Sequence, residues 1–360
     1  MLIDSIELEN FRNYGSLKLD LDGGINIFCG DNAQGKTNIL EAVYLICTSK
    51  SQKLSKDRDM IRFGCDESHL KAVILKNEMR YRIDMHLKRN NSKGIAVNGI
   101  PIKKVSELLG IANVVSFSPE DLNIIKNGPS ERRRFMDLEL CQLNRIYVHD
   151  LISYNRVLNQ KNRLLKNLQF DRSSEEFLDI YNEQLIKYGS EIISLRRSFV
   201  EKLDHLIRDF HSDITGNSER LTLKYEPDTT EESFYDDLEK HRDNELKNCF
   251  SLVGPHKDDI KFTFNDTDLR QYGSQGQQRT AVLSLKLAEI AFVEEVSGNR
   301  PLLLLDDVLS ELDRNRQNKL LNSIKDIQTL ITCTGLDDFV ENRFRMDKVF
   351  LVKDGLVTAK

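Results

Sequence analysis

Eight consecutive residues match the phosphate-binding pattern G-x-x-x-x-G-K-[ST] at every fixed position. They are Gly30, Asp31, Asn32, Ala33, Gln34, Gly35, Lys36 and Thr37. In such a loop the backbone N–H groups surround phosphate oxygens, Lys36 would reach the β- and γ-phosphates, and Thr37 would bind Mg²⁺. The apolar run 25–29 predicts a strand before the loop, and the amphipathic run 38–47 predicts a helix after it. We therefore expect a nucleoside triphosphate to bind here.

A pair of carboxylates follows a run of four leucines, residues 302–305. Asp306 is placed to complete the Mg²⁺ shell with Thr37, and Asp307 could orient or deprotonate the water that attacks the γ-phosphorus. Alternatively, Asp307 is a second metal-shell or helix-capping carboxylate. Because an aspartate reaches less far than the glutamate usual at this position, we expect slow hydrolysis with Asp307 and Lys36 as catalytic residues.

Bulk composition describes an ordinary protein long enough for one large or two modest domains. The 360 residues are 39% hydrophobic and 30% charged, which is enough for a full core. No apolar run approaches the roughly 18–20 residues that cross a bilayer, and the N-terminus lacks a secretory pattern. The six cysteines form no C-x-x-C pair, so we expect reduced thiols and a cytoplasmic location.

Charge is distributed unevenly although the net charge is only −5. Residues 50–104 carry 14 Lys/Arg against 6 Asp/Glu, whereas residues 219–245 carry 4 against 10. The basic segment is either a solvated, lysine-rich face or a surface that faces a polyanion. The acidic segment is interpreted as an exposed connection.

Three segments are predicted along the chain. Residues 1–131 hold the phosphate loop and the strand-like stretches of a β-rich subdomain, and residues 251–360 alternate strands with helices. Residues 132–250 predict an inserted helical lobe. Within it, apolar residues over 181–210 follow the spacing of a coiled-coil seam, and 145–168 would supply the antiparallel partner. We interpret this apolar stripe as core packing.

Two further motifs flank the paired carboxylates. Ser274, Gly276 and Gln277 open a predicted helix roughly 30 residues before Asp306, where a hydroxyl and bare backbone attract an anion. Taken alone, Ser274 could be a simple helix cap. A segment beginning at Ser310 follows the carboxylates. The chain thus contains, in order, the phosphate loop, the motif at Ser274, the paired carboxylates and the motif at Ser310. Four such motifs in this order rarely coincide by chance.

The order and wording of the motifs resemble ATP-binding-cassette (ABC) ATPases of the chromosome-maintenance, SMC-like branch, and within it the RecF family of recombination-repair ATPases. The resemblance covers nearly the whole chain. It includes residues 8–14, 30–41, 117–122, 128–137, 254–259, 272–279 and 304–313. It implies an α/β, ABC-type ATPase head with a mixed central sheet, a β-subdomain and an inserted α-helical lobe containing a short antiparallel coiled coil.

The resemblance also implies a slow, Mg²⁺-dependent ATPase that works as a switch. Two ATP molecules would be buried in a head-to-tail homodimer, where the signature residues of one chain complete the loop of the other. Those signature residues are Ser274, Gly276 and Gln277. Ser310 and Asp313 would form the D-loop, with Asp313 aligning the interface. Arg12 resembles the family's phosphate-contacting arginine, the alternative being a surface ion pair.

DNA and three proteins are the partners that the resemblance implies. ATP-driven dimerisation would clamp DNA at gaps or junctions and promote RecA loading with RecO and RecR, and hydrolysis would release the clamp. The candidate contacts to the DNA backbone are Lys53, Lys56, Arg58, Arg132 and Arg133. The arginine run from residue 132 to 134 could instead pair with acidic residues inside the protein. No base-reading motif is evident.

Three positions depart from the family pattern. Ser118, with Glu120 nearby, stands where related ATPases place a glutamine that senses Mg²⁺ and water. Thr334 stands near the missing switch histidine, and Gln52-Lys53 replaces an expected His-Arg pair. These departures favour a slow switch over a motor.

Two other functions share the nucleotide motifs. The energising subunit of a membrane transporter would have a shorter helical insertion and a glutamate in place of Asp307. A structural chromosome-tethering ATPase would need an arm of hundreds of residues between the two core halves. The insertion, residues 132–214, is too long for the transporter subunit and too short for the tethering arm, and it therefore argues against both functions.

Overall fold

Two compact units divide the part of the chain that the computed structural model describes, which is residues 1–52, 56–216, 219–335 and 346–360. The first unit comprises Met1–Asp121 and Lys286–Lys360, and the second comprises Leu122–Leu285. The first unit is thus assembled from both ends of the chain.

The strands and helices are named in chain order. The strands are β1 (Leu2–Phe11), β2 (Tyr14–Asp20), β3 (Ile25–Cys29), β4 (Glu67–Lys76), β5 (Met79–Lys88), β6 (Gly94–Val97), β7 (Ile100–Pro101), β8 (Val114–Phe117), β9 (Leu221–Glu226), β10 (Asp259–Phe264), β11 (Thr267–Asp268), β12 (Leu302–Asp306), β13 (Thr329–Cys333), β14 (Lys348–Lys353) and β15 (Leu356–Ala359). The helices are α1 (Lys36–Thr48), α2 (Asn123–Lys126), α3 (Pro129–Leu143), α4 (Arg145–Asn167), α5 (Phe177–Thr215), α6 (Phe234–Asn248), α7 (Leu269–Tyr272), α8 (Gln275–Ser297) and α9 (Arg314–Ser323). None of these helices has a stretch that is both long and apolar enough to span a membrane.

The central sheet of the first unit is mixed, as predicted. Its order is β15-β14-β3-β13-β12-β8, with parallel pairing throughout except between β14 and β15. Strands of parallel sheets are buried on both faces and read as continuous apolar runs, which explains the leucines of β12 and the fully buried β3. Because the carboxyl ends of parallel strands lie at one edge, the residues that follow β3, β12 and β13 come together there.

The second sheet of this unit is antiparallel, with the order β2-β1-β4-β5-β6-β7. In β1 and β5 buried residues largely alternate with half-buried or exposed ones, as expected of a sheet with one solvated face. The sequence predicted a β-rich insertion after the phosphate-loop helix, and the structure shows that β1 and β2 also belong to this sheet. One hydrophobic core packs the buried face against α1 and the central sheet.

The second unit contains the long helices. Helix α5 runs for 39 residues, and α4 and α5 coincide closely with the predicted antiparallel pair. Leu185, Ile192 and Phe199 of the predicted seam are buried, whereas Tyr181 and Leu206 are only half-buried. The knobs-into-holes packing of a coiled coil stays a prediction.

The acidic segment 219–245 is not the exposed connection that its composition suggested. It forms β9 and most of α6, and β9 pairs antiparallel with β10. The apolar side chains of β9 alternate with its polar and charged ones and are buried. The net charge of the segment therefore did not reveal that it contains a half-buried strand. The β9–β10 pairing also keeps the segment after residue 250 in the second unit. The contact-based boundaries, at 121/122 and 285/286, therefore differ from the predicted 131/132 and 250/251.

A buried ionic network lies at the centre of the second unit. Arg196 on α5 donates to the carboxylates of Asp258 and Asp137, each at 2.8 Å, and to the carbonyl oxygen of Pro255 at 2.6 Å. The Tyr225 hydroxyl donates to Oδ2 of Asp258, the same oxygen that accepts from Arg196. Asp258 is fully buried, so its charge depends on these donors.

We expect Arg196→Leu to lower the free energy of unfolding by about 3–5 kcal/mol, because it leaves a buried carboxylate without its cation. The matched control is Arg242→Leu, which breaks partly exposed pairs with Asp179 and Glu239 and should cost about 1 kcal/mol or less. Urea unfolding followed by circular dichroism measures both. Equal losses would show that the network does not depend on Arg196.

Candidate nucleotide-binding site

The phosphate loop connects β3 to α1, as its sequence predicted. Gly35, the residue before the helix, has φ of 110°, a left-handed value that favours glycine. A Cβ atom on Gly30 would lie 2.1 Å from the carbonyl oxygen of Val352. Neither position accepts a side chain, so the two fixed glycines of the pattern are explained by backbone geometry. Asp31, Asn32 and Ala33 form the exposed crest of the loop.

Lys36 is buried, and its ammonium group points back into the loop. Its Nζ atom donates to the carbonyl oxygens of Gly30 at 2.5 Å and Asp31 at 3.0 Å. These acceptors are uncharged, and hydrogen bonds between an ammonium and an anion are stronger. An anion held by the loop would therefore give Lys36 a better partner.

Asp306 links three segments at the carboxyl edge of the central sheet. Its Oδ1 atom accepts from the hydroxyl of Thr37 at 2.8 Å and from that of Thr332 at 2.7 Å. The backbone N–H of Asp307 donates to the Thr332 hydroxyl at 2.9 Å. Thr37 and Asp306 offer the hard oxygen ligands that Mg²⁺ requires, so the residues present fit this ion. Thr332 was not predicted, because its role follows from the pairing of β12 with β13.

Asp307 is half-buried and adopts φ of 53°, a conformation that is uncommon for a residue with a side chain. Burial raises its pKa, Asp306 raises it further, and the cation of Lys36 opposes the change. A perturbed carboxylate beside a phosphate-binding loop has the properties of a general base or a water-orienting group.

Arg12 is held by α1. Its guanidinium forms two hydrogen bonds with the carboxylate of Glu41, at 2.7 and 2.8 Å, and a third with the carbonyl oxygen of Asp59 at 2.8 Å. Glu41 is buried and also accepts from the Ser51 hydroxyl at 2.8 Å. The ion pair considered as the alternative is therefore present, and a phosphate contact by Arg12 stays a prediction.

The phosphate loop is hydrogen-bonded to two turns, one between β1 and β2 and one between β14 and β15. The Tyr14 hydroxyl donates to the carbonyl oxygen of Gly35, and the Asn13 side chain donates to that of Gln34, both at 3.0 Å. The backbone N–H of Asp354 donates to the Gln34 side chain at 2.5 Å. Sequence reasoning missed these hydrogen bonds, because they join residues separated by more than 20 and more than 300 positions.

The predicted signature residues belong to the second unit. Ser274 and Gln277 form a reciprocal capping arrangement at the start of α8, with bonds of 2.9 and 3.2 Å. Ser274 is exposed, and a Cβ on Gly276 would approach nothing closer than the Ser274 hydroxyl at 4.0 Å. The helix cap is thus observed, and it leaves this exposed turn open to another molecule.

The predicted D-loop residues, Ser310 and Asp313, belong to the first unit. The Ser310 hydroxyl donates to the carbonyl oxygen of Asp307 at 2.8 Å. Asp313 caps α9 by accepting from the backbone N–H groups of Asn315 and Arg316, both at 3.0 Å. Both residues therefore shape the turn that follows Asp307.

The positions that depart from the family pattern, Ser118, Glu120 and Thr334, differ in their exposure to solvent. Ser118 is buried, and its backbone N–H donates to Asp121 at 2.6 Å. Glu120 and Thr334 are exposed. In the described residues it is Thr332, two positions before Thr334, that contacts the paired carboxylates.

The candidate DNA contacts divide into exposed and internal residues. Lys56 and Arg58 are exposed, and Lys53 lies outside the described residues. Arg132 is only 4% exposed and pairs with both carboxylate oxygens of Asp259, at 2.5 and 2.9 Å. Arg133 is half-buried and donates to the Asp258 carbonyl oxygen at 2.7 Å. The internal pairing considered for the arginine run therefore forms at Arg132, which is corrected to a structural residue. Arg133 is held by a backbone carbonyl, and its contact with DNA stays a prediction.

The fold and the site define the class of phosphate-loop nucleotide-binding heads. A family model described as the RecF/RecN/SMC N-terminal domain matches residues 2–358. A protein from Lachnospira eligens named DNA replication and repair protein RecF is 58% identical over 359 residues, covering 99% of each chain. The chain therefore belongs to the RecF/RecN/SMC N-terminal domain family and, within it, to the RecF family.

Solved structures agree with this assignment. A structure of the recombination mediator protein RecF with ATP, in the RecFOR pathway, matches with a TM-score of 0.94 and 36% identity, covering 99% of this chain and 97% of that chain. An Smc head bound to the C-winged helix domain of ScpA matches with a TM-score of 0.59 at 15% identity, covering 100% of this chain and 97% of that chain. The second likeness concerns the fold alone. The predicted ABC-type head fold is confirmed.

We expect Asp307→Asn to raise the melting temperature at neutral pH. The pKa of Asp307 is raised above the ordinary aspartate value of about 3.9, so ionising it costs folded-state free energy above the raised pKa. Asparagine removes this charge and tolerates a left-handed backbone. As the pH falls through the raised pKa, the wild-type carboxyl becomes protonated in the folded state. The advantage of the variant should then shrink, as calorimetry at several pH values would show.

The control for this prediction has the opposite sign. The backbone N–H of Arg316 is the main cause that lowers the pKa of Asp313, so its carboxylate stabilises the fold above the unfolded-state pKa and loses that effect in acid. Asp313→Asn should therefore lower the melting temperature at neutral pH. If Asp307→Asn lowers the melting temperature as Asp313→Asn does, the assigned environment of Asp307 is wrong.

Proposed function

We propose that this protein is a Mg²⁺-dependent ATPase that uses slow hydrolysis as a conformational switch in DNA repair. The observation that carries the proposal is the hydrogen bond between Thr37 and Asp306, beside a phosphate loop that already encloses Lys36. The relatives named RecF and the solved RecF–ATP complex support the choice of nucleotide and of pathway.

The residues of one chain supply most of the hydrolytic machinery. The loop N–H groups and Lys36 would hold the β- and γ-phosphates, which positions the γ-phosphorus near Asp307. Thr37 and Asp306 would hold Mg²⁺, which neutralises charge on the phosphate oxygens when it is bound. Asp307 would accept a proton from the attacking water or orient it. Its side chain is one methylene shorter than glutamate, which favours a low rate.

A second copy of the chain would complete the pocket. Ser274, Gly276 and Gln277 stand at an exposed helix start that leaves room for an anion. In a head-to-tail homodimer this turn would face the phosphate loop of the partner, and Ser310 and Asp313 would line the interface. ATP would then favour the dimer by binding it more tightly than the monomer, and hydrolysis would release it.

DNA would be bound through its backbone, near Lys56 and Arg58, with no reading of sequence. Closing the dimer at a gap or junction would mark the site where RecO and RecR assist the loading of RecA. The names of the relatives and of the RecFOR pathway support this assignment. If duplex and gapped DNA change neither the ATPase rate nor the sedimentation of the ATP-bound protein, a transporter-type function would be favoured instead.

We expect Lys36→Arg to abolish ATP-dependent dimerisation. The Lys36 ammonium is buried and bound by two loop carbonyls, and the wider, planar guanidinium does not fit this geometry. Sedimentation velocity with a non-hydrolysable ATP analogue and Mg²⁺ measures the outcome. The matched control is Lys71→Arg, a half-exposed lysine paired with Glu7, which should dimerise like the wild type.

Asp307→Asn provides the contrasting arm, because it leaves Lys36 and the loop intact. This variant should bind ATP, form dimers that persist with ATP itself, and lose hydrolysis. Normal dimerisation of Lys36→Arg would refute the role of the loop in the switch. Unchanged turnover of Asp307→Asn would place the catalytic carboxylate elsewhere.

We expect the double variant Lys56→Ala and Arg58→Ala to weaken binding to every duplex sequence alike. Each lost phosphate contact should also reduce the slope of log affinity against log salt concentration by about 0.9. Fluorescence anisotropy at several salt concentrations with ATP measures both quantities. Lys240→Ala, which removes an exposed cation from the acidic segment, is the control and should change neither. An unchanged salt slope in the double variant would exclude this surface.

A further inference from the structure

The solvated face of the antiparallel sheet carries a cluster of metal-ligating side chains. Glu67 and His69 lie two residues apart on β4, so their side chains point to the same face. His86 on β5 is paired directly with His69. Directly opposed residues of antiparallel strands share a face and approach closely, so the register brings all three side chains together.

Side-chain geometry places one carboxylate and two imidazoles within reach of a single ion. His86 Nε2 lies 2.8 Å from Glu67 Oε2, and the rings of His69 and His86 stack with centroids 3.9 Å apart. One ligand atom from each residue lies within 4.8 Å of the other two. In a tetrahedral site with bonds of about 2.0–2.1 Å the ligand atoms are about 3.4 Å apart. The two stacked rings, which are inclined by 21°, would therefore rotate so that the lone pairs in their ring planes converge on the ion.

The surroundings of the cluster supply charge and access. Lys88 lies 3.8 Å from Glu67 Oε1, the oxygen that does not contact His86, so the facing oxygen remains directed at the imidazoles. Glu9 on β1 is paired directly with His69 and is exposed. Both histidines line an open groove of about 610 Å³. An ion held here would therefore keep coordination positions open to water.

We propose that Glu67, His69 and His86 bind one divalent transition-metal ion, for which Zn²⁺ is the best match. Imidazole nitrogen suits Zn²⁺, Cu²⁺ and Ni²⁺, whereas Mg²⁺ takes oxygen ligands. The site thus differs in chemistry from the oxygen pair of Thr37 and Asp306. A bound ion would join β4 to β5 across the sheet, and it needs both imidazoles.

The test is a titration of the untagged, full-length chain with Co²⁺ and with Zn²⁺ after chelator treatment, without nucleotide. We expect one saturable site per chain and a cobalt spectrum typical of nitrogen and oxygen ligands. His69→Gln and His86→Gln should each weaken binding at least about tenfold, since loss of even a supporting residue costs a metal site that much. An excess of Mg²⁺ should not displace the cobalt.

The matched control is His149→Gln, because His149 is a well-exposed histidine that contacts one carboxylate, Asp150, at 2.9 Å. The affinity of this variant for Co²⁺ and Zn²⁺ should equal that of the wild type. Circular dichroism would verify that all variants fold, which we expect because the three ligands are not buried. The proposal is overturned by absence of saturable binding, by wild-type affinity in His86→Gln, by displacement with Mg²⁺, or by a thiolate-to-cobalt absorption band.

Discussion

The carboxylate of Asp306 accepts hydrogen bonds from Thr37 on α1 and Thr332 on β13. These three residues belong to segments separated by up to 295 positions, and only the parallel pairing of β3, β13 and β12 brings them to one edge. The proposed Mg²⁺ site and the position of Asp307 both depend on this pairing. A shift in the register of β12 would separate Asp306 from both hydroxyls.

The motifs shared with the family therefore serve two different physical purposes. The phosphate loop and the paired aspartates are the motifs to which we assign the chemistry, because the Lys36 ammonium lies within the loop and the Thr37 hydroxyl contacts the Asp306 carboxylate. The segment 254–259 has a structural purpose. Its Asp258 is fully buried and bound by Arg196 and Tyr225, and its Asp259 pairs with Arg132. Replacing a member of such a network leaves an unpaired buried charge, which strongly destabilises the fold.

Charge counts along the sequence predicted surfaces poorly. Lys56 and Arg58 of the basic segment 50–104 are exposed, whereas Arg132, which the family resemblance suggested as a DNA contact, is enclosed by the protein. The acidic stretch contains β9, whose apolar residues alternate with its charges. The net charge of a segment of some 27 residues does not show that apolar and polar side chains alternate along a strand. Burial of the side chains depends on that alternation. The same alternation places Glu67, His69 and His86 on one face of the antiparallel sheet.

The sequence by itself determined the phosphate loop, the buried strand that ends at Asp306 and the long helices, because these depend on local patterns of residue type and spacing. Short-range geometry explains this: a glycine loop between a strand and a helix has few conformations, and a run of leucines requires burial. The class of the fold followed from the resemblance of the motifs to a known family. The tertiary structure alone decided that Thr332 contacts Asp306, that Glu41 holds Arg12, and that Arg132 is internal. Each of these contacts joins residues distant in sequence, and strand register and helix packing, rather than any local pattern, bring such residues together.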